Sequence, residues 1–509
     1  MSTETEHHHP ADPAGPDTDS AVQKAKLRKH FGRSDIFFFL VCTLVGVDGL
    51  GTLATQGGAG FTWLLICVAV FAVPSAMLLA ELGAAWTDEG GAYIWVRTAF
   101  GQMPAAITNV FYWVSNPVWM GGTLVSTAIG GIVVFFGGGG WSRPATYAFG
   151  LAFIWTGVLL CVYSFRVGKW IATIGAIARF ALLGVFVLVV FAYGLQHGFH
   201  GPGIGDYVPT YPSFVLLVPL ILFSLVGFEL PSSAGDEMKD ATRDVPAGIA
   251  KSVVTATVLY GLPVLGILLV LPSSQATGLA GFPDAFRQAL TALGGHVSTA
   301  ADGTVTAHLS GLGTVVGWVM GLLVVVVAFT SGLAWLMGSD RTLAVSCYDG
   351  AGPKALGVFS ERFGTPVRVN LLSGVVSTAV LVAGTEITGG NIYKFFQAEL
   401  NLTVSTTLIS YLCIFPVAWR LRRTRPQQPR PYRAPRVGLL TTLSVSTAAF
   451  CTAQVFFPGL GIHWFGDDFR PDGWAVHEKW TYLLTELVPV TAFVLLGVAF
   501  WAVGRRRSI

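Results

Sequence analysis

Twelve apolar runs, each long enough to cross a lipid bilayer, account for most of this chain of 509 residues. A transmembrane helix needs about 20 consecutive apolar residues. Only 12% of the residues are charged, whereas a soluble domain has about 25%. The chain is therefore predicted to be an all-α polytopic membrane protein with 12 transmembrane helices. The predicted spans are residues 35–56, 60–83, 104–136, 145–164, 169–196, 211–234, 248–272, 311–338, 367–385, 392–419, 437–458 and 480–503.

The distribution of Lys and Arg predicts the orientation of these spans. With a cytoplasmic N-terminus, 25 of the 31 basic residues fall in the two terminal segments or in loops on that side. Cytoplasmic loops of membrane proteins carry such an excess. We therefore expect a multi-pass protein of the cell membrane with both termini in the cytoplasm. Residues 1–33 are polar, lack the apolar core of a signal peptide, and are predicted to be a disordered cytoplasmic tail.

The first apolar run contains residues 46–51, Gly-Val-Asp-Gly-Leu-Gly, which are costly in an uninterrupted membrane helix. Each glycine costs about 1 kcal/mol relative to alanine, and a carboxylate near the bilayer centre costs about 2.5–3.5 kcal/mol. Backbone at membrane depth can leave the helix where it lines a cavity. We interpret the motif as a helix interruption at a substrate site. The alternative is that the glycines allow close helix packing and that Asp48 pairs with a buried donor.

The sixth apolar run contains a second candidate interruption. Gly227, Glu229 and Pro231 lie close together in it, and Pro231 removes a backbone donor and favours a kink. Interrupted helices at corresponding positions of two halves indicate a secondary-transporter site. Residues 35–196 and 211–419 would then be inverted repeats of five spans each, followed by two further helices.

Four motifs resemble one family of transporters. They are residues 80–101 (Ala-Glu-Leu, Glu-Gly-Gly-Ala-Tyr and Ala-Phe-Gly), 227–249 (Gly-Phe-Glu to Ala-Gly-Ile), 339–367 (Ser-Asp-Arg-Thr to Gly-Thr-Pro-Val) and 430–435 (Arg-Pro-Tyr-Arg-Ala-Pro). These motifs and their order along the chain resemble those of the amino acid-polyamine-organocation superfamily of secondary transporters. The resemblance implies the leucine-transporter fold, with a 5+5 inverted repeat plus two C-terminal helices. It departs from the family at the first interruption, where Gly49-Leu50-Gly51 replaces the usual Gly-Ser-Gly.

On this resemblance the chain has four parts. Residues 34–420 are the transport core, 421–436 are a cytoplasmic loop rich in Arg and Pro, and 437–509 hold the last two helices and a short C-terminus; residues 1–33 are the tail. The Arg/Pro loop has the composition for contact with anionic lipid. Orientation alone also explains its charge, and that is the favoured interpretation.

The resemblance also implies the substrate-binding residues. A half-helix N-terminus carries about half a positive charge, so its N–H groups would hold a substrate carboxylate, while carbonyls at the second interruption would hold an ammonium. Asp48 and Glu229 would add negative charge for a cationic substrate, or would be protonated and only hydrogen-bonded. The predicted site residues are Asp48, Gly49, Leu50, Gly51, Thr52, Phe223, Ser224, Val226, Gly227 and Glu229. Tyr112, Trp113 and Phe228 are candidate lining residues, with ordinary packing as the alternative.

Arg179 is the only basic residue in the interior of a predicted span, away from the span ends. A guanidinium is too costly to face lipid, so we expect it to point into the bundle, toward carbonyls or a carboxylate such as Asp48. Sodium-independent relatives place a lysine in this helix where sodium-coupled relatives bind the ion, and Arg179 resembles the occupant of that place. The resemblance therefore implies sodium-independent transport, with substrate exchange or Glu229 providing the coupling. The alternative is a structural buried pairing.

The expected function is secondary active transport of an amino acid or related amine by alternating access. A polyamine or organic amine transporter and a transporter-like nutrient sensor are the alternatives; a channel would need a continuous polar pore. Expected partners are a small-molecule substrate and membrane lipids, with no nucleic acid, in a monomer or homodimer. No His-rich or Cys-rich set falls within the spans, so no catalytic site, metal site or cofactor is predicted.

Overall fold

The computed structural model describes residues 31–137, 141–163, 165–199, 201–270, 281–299, 305–387, 392–469 and 474–505. The predicted tail falls almost wholly on residues 1–30, outside the described residues, as do the last four residues. The described helices are α1 (Arg33–Leu44), α2 (Leu50–Ala54), α3 (Gly57–Ala85), α4 (Gly91–Phe100), α5 (Gln102–Phe136), α6 (Arg143–Tyr163), α7 (Phe165–His197), α8 (Tyr211–Ser224), α9 (Ala241–Val270), α10 (Gly281–Leu290), α11 (Gly311–Ser346), α12 (Val367–Ile387), α13 (Ile392–Ile414), α14 (Val417–Thr424), α15 (Val437–Phe456) and α16 (Lys479–Arg505).

Ten spans in the described part of the chain are helical, long and apolar enough to cross a membrane. They are α3, α5, α6, α7, α9, α11, α12, α13 with α14, α15 and α16. Each corresponds to one predicted apolar run. The multi-pass helical architecture is thus confirmed in outline, and the two remaining predicted runs are the ones in which interruptions were predicted.

Both of those runs are broken. The first is divided into α1 and the short α2, with non-helical backbone at residues 45–49. The second consists of α8 and, after residues 225–229, a 3-10 segment, Leu230–Glu237. Neither run therefore forms the single continuous helix that its length alone would suggest.

The C-terminal boundary of α11 differs from the predicted one because polar residues find distant partners. The predicted span 311–338 ends before Ser339, Asp340 and Arg341, but α11 continues through Ser346. All three polar residues are buried, and Asp340 accepts hydrogen bonds from Trp113 Nε1 at 3.0 Å and Ser373 Oγ at 2.6 Å. Paired in this way, polar side chains do not end a buried helix.

Small elements connect the long helices. Between α9 and α11 lie α10 and a two-stranded antiparallel hairpin of β1 (Gly295–Thr299) and β2 (Val305–Leu309). Phe282 and Phe286 of α10 pack edge-on against Phe186 of α7, so this segment is part of the hydrophobic core.

The packing of the long helices places both interruptions inside the bundle. α1 lies against α7 and α9, α7 also packs on α11, and α5 packs on α11 and α13. Side chains from these neighbouring helices therefore surround the non-helical backbone.

Candidate functional site

Side chains of α9 and α11 satisfy the backbone where α1 ends. The Tyr260 hydroxyl of α9 donates to the Leu44 carbonyl at 2.7 Å and accepts from the Gly46 N–H at 2.9 Å. Trp335 Nε1 of α11 donates to the Thr43 carbonyl at 3.0 Å. Unpaired backbone groups in a membrane interior cost several kcal/mol each. These contacts therefore hold the interruption in one geometry.

Arg179 of α7 is fully buried and also binds this interruption. Its partners are the Val45 carbonyl (2.6 Å), the Gly175 carbonyl (2.8 Å), Thr330 Oγ1 (3.1 Å), the Val327 carbonyl (3.2 Å) and Ser331 Oγ. It points into the bundle as expected, and none of its partners in the described part of the chain is a carboxylate. The guanidinium is thus enclosed by neutral oxygens from the first interruption, α7 and α11.

Asp48 lies buried at the start of α2. Its Oδ2 accepts a hydrogen bond from Trp119 Nε1 of α5 at 2.9 Å. The next residue is Gly49, which was predicted to offer its N–H to a substrate carboxylate. The Asp48 carboxylate therefore lies beside the backbone at which that substrate group would bind.

Glu229 is the corresponding acid of the second interruption and is also buried. Its Oε1 accepts from the hydroxyls of Tyr112 of α5 at 2.8 Å and Tyr411 of α13 at 2.7 Å. Its Oε2 has no hydrogen-bond partner among the described residues. Two residues earlier, Gly227 has φ +119°, and a Cβ there would lie 2.7 Å from the Trp335 ring. This position therefore requires glycine for both conformation and space.

An aromatic row connects the two acids. Trp119, which binds Asp48, packs edge-on against Trp335 with 6.5 Å between ring centroids. Trp335 in turn contacts Tyr112, which binds Glu229, at 6.3 Å. Phe223 lies against Trp119 at 5.8 Å. The two carboxylates thus stand at opposite ends of a row of aromatic side chains.

The remaining predicted residues are placed as follows. Leu50, Gly51, Val226 and Phe228 are buried, and Thr52 is half-buried with a buried hydroxyl that has no partner among the described residues. A Cβ on Gly49 would lie 3.5 Å from Ser224 Oγ, so the two interruptions are adjacent. Trp113 instead binds Asp340 and Ser373 and belongs to a different contact.

The sequence alone did not single out four residues that complete the site: Trp119, Tyr260, Trp335 and Tyr411. All four are aromatic donors on continuous helices. Because 12% of the chain is aromatic, no spacing or composition separates them from packing residues.

A buried ion cluster lies at the end of the 3-10 segment. Arg341 of α11 binds Glu89 and Glu237, the latter at 2.7 Å. Glu89 lies in the connection between α3 and α4 and is fully buried. Burial raises the pKa of Glu89 to about 8; Arg341 opposes this shift, and Glu237 and Asp236 add to it. Two carboxylates thus share one guanidinium.

Membrane-length helices that surround two adjacent interruptions with buried charges define a multi-pass membrane transporter with a small-molecule substrate. The family model of the amino acid permeases matches residues 31–483. The chain therefore belongs to the amino acid permease family, which confirms the resemblance seen in the four motifs.

Several relatives share most of this chain's length. The probable agmatine/putrescine antiporter AguD of Lactococcus lactis is 23% identical over 415 residues, covering 80% of this chain and 82% of its own. An uncharacterized transporter of Legionella pneumophila is 25% identical over 434 residues, covering 84% of this chain and 89% of its own. The branched-chain amino acid permease BcaP of Bacillus subtilis is 22% identical over 449 residues, covering 83% of this chain and 87% of its own.

Proposed function

We propose that this chain is a sodium-independent secondary transporter that moves a cationic amine by alternating access. The observation that carries the proposal is the pair of adjacent helix interruptions, each with one buried carboxylate. In this proposal the interrupted runs are the first and sixth of 12 transmembrane helices of the leucine-transporter fold, and both termini lie in the cytoplasm.

The environment of Asp48 favours an amine over an amino acid. An amino acid brings a carboxylate that needs donors at the start of α2. Asp48 is buried at this point and accepts a hydrogen bond from Trp119 Nε1, so its carboxylate would repel that of the substrate. A substrate without a carboxylate avoids this repulsion and adds its positive charge between Asp48 and Glu229. The relative AguD carries agmatine and putrescine in its name, and both are amines without a carboxylate.

The aromatic row supports the same substrate class. Aromatic faces attract cations, with energies of about 0.5–2 kcal/mol. An aliphatic amine lying along Trp119, Trp335 and Tyr112 would keep its methylene groups on apolar surface. Its charged end would then meet a carboxylate.

Arg179 supports sodium independence. It fills a set of carbonyl and hydroxyl oxygens, which are the ligands that hard cations take. Its positive charge repels a second cation. Arginine does not release its proton in a protein, so coupling falls to substrate exchange or to Glu229.

The test is uptake of labelled substrate by the purified protein in liposomes, with putrescine, agmatine, arginine and leucine compared in sodium and in choline. We expect amine uptake that is equal in both salts. Asp48→Asn should reduce amine uptake at least tenfold. Asp340→Asn is the matched control, because it removes another buried, Trp-bound Asp that lies away from the interruptions. It should leave the ratio of amine to amino acid uptake unchanged.

Uptake that sodium alone restores would contradict the role of Arg179. Preference for leucine over the amines, or equal losses for all substrates in Asp48→Asn, would contradict the substrate assignment. Amine binding without uptake would instead identify a sensor built on a transporter fold.

A further inference from the structure

A basic pocket lies at the end of the bundle that carries the Arg/Pro loop. It has a volume of about 220 Å³ and is lined by Arg422, Pro426, Gln428, Arg430 and Arg433. Arg422 belongs to α14, and the other residues belong to the loop that follows it. The pocket lies outside both helix interruptions.

The pocket has more positive than negative charge. Glu81, near the end of α3, binds Arg422 through both carboxylate oxygens and lies 3.3 Å from Arg430 Nε. One carboxylate thus serves two guanidinium groups. Arg433 is exposed and has no partner in the described part of the chain. Burial lowers the pKa of Arg430; Glu81 opposes this, while Arg422 and Arg433 lower the pKa further.

Two of the three arginines, Arg422 and Arg430, are held in place rather than free in solvent. Arg430 is 8% exposed at its side chain, donates to the carbonyls of Gln428 at 2.8 Å and Arg425 at 3.0 Å, and stacks on Trp86 at 5.4 Å. Gln428 Nε2 donates to the Ala85 carbonyl at 2.8 Å. The orientation of the helices in the membrane requires basic residues on one side. It does not require that these residues form a pocket bound to the end of α3.

The chemistry that fits this pocket is a phosphate group. Guanidinium groups bind phosphate with two parallel hydrogen bonds, and the excess charge of the pocket favours an anion. Arg422 Nη1 and the exposed Arg433 have donors that no described contact uses. A phosphate in the pocket would balance the charge that Glu81 leaves uncompensated.

The surroundings indicate that the phosphate comes from a lipid. On α14, Arg423 stacks on Trp419 at 4.4 Å, and Trp419 is 39% exposed. Trp is enriched at the depth of the lipid headgroups, and α14 directly continues a membrane-length span. We propose that the pocket formed by Arg422, Arg430 and Arg433 binds the phosphate of an anionic lipid headgroup.

The experiment measures thermal unfolding of the purified full chain in detergent, titrated with phosphatidylglycerol, phosphatidylcholine or inorganic phosphate. The variants are Arg433→Gln and, as the matched control, Arg436→Gln, which removes the same charge from the same loop outside the pocket. Phosphatidylglycerol should stabilise the wild type and the control, with little effect of phosphatidylcholine or phosphate. In Arg433→Gln the concentration for half the shift should rise about fivefold, the effect of one lost cation at a membrane surface.

Equal shifts of the unfolding temperature by phosphatidylglycerol in the wild type and both variants would overturn the proposal. The lipid would then act on the surface charge in general and not on the pocket. An equal, Arg433-dependent shift with inorganic phosphate would overturn the lipid source and assign the pocket to a soluble phosphate.

Discussion

Replacing Arg179 by alanine tests whether this residue holds the first helix interruption. The variant leaves the oxygens around it without their cation. Gly175 and Val327 keep their helical surroundings, and the Thr330 hydroxyl also donates to the Val326 carbonyl at 2.8 Å. The Val45 carbonyl and Ser331 Oγ therefore bear most of the loss.

The expected destabilisation follows from these two groups. A buried acceptor that loses its partner costs about 1–3 kcal/mol, so two of them cost about 2–6 kcal/mol. Removing a buried guanidinium also removes its desolvation penalty, which offsets part of this loss. We expect Arg179→Ala to lower the free energy of unfolding by about 2–4 kcal/mol.

Equilibrium unfolding in mixed micelles, in choline and in sodium chloride, measures this change. Sodium should restore part of the stability of Arg179→Ala, because the vacated carbonyls and hydroxyls are ligands for a hard cation. Leu182→Ala is the control: Leu182 is fully buried on the same helix, and its loss leaves a cavity without oxygen ligands. Unchanged stability of Arg179→Ala in choline would refute the reasoning, as would an equal sodium response in both variants.

Two further predictions concern buried acids. Because the folded-state pKa of Glu89 is raised from 4.5 to about 8, the fold favours the protonated acid, and stability should fall as the pH rises from about 4.5 through 8. Glu89→Gln should flatten thermal unfolding temperatures between pH 6 and 9, and a wild type that gains stability over this range would contradict the assignment. Glu229→Gln should retain exchange in preloaded liposomes, while its net uptake into empty liposomes no longer depends on pH; wild-type net uptake that is already constant from pH 5 to 8 would exclude Glu229 as the coupling acid.

The sequence was sufficient to locate the interruptions because their causes are local. Gly46, Gly49 and Asp48 each oppose a membrane helix by themselves, as do Gly227 and Pro231, and the structure breaks both helices at these positions. The extension of α11 past Gly338 was not predictable in this way. It depends on partners of Asp340 and Arg341 that lie far away in the chain.

The partners within the site were beyond local reasoning for the same reason. Tyr411 is 182 residues from Glu229, and Tyr260 is 214 residues from Gly46. Each contact exists only because α9 and α13 pack beside the interruptions. Sequence identified the groups whose burial is costly, and the packed structure supplied the donors that make this burial possible.

The charges at the interruptions constrain how a transport cycle can close. Arg179 contributes one fixed positive charge, and the ionised forms of Asp48 and Glu229 contribute two negative charges. The empty site would then hold one uncompensated negative charge in a medium of low dielectric constant, where unpaired charges are expensive. A bound amine with one positive charge removes this charge, and a divalent amine such as putrescine turns it into one positive charge. A zwitterionic amino acid leaves it unchanged. To take up the next substrate, the transporter must return to its starting conformation. The uncompensated charge makes this step unfavourable unless one acid carries a proton or a second amine occupies the site. Since Arg179 cannot supply that proton, exchange of amines and protonation of Glu229 are the two routes that the charge balance allows.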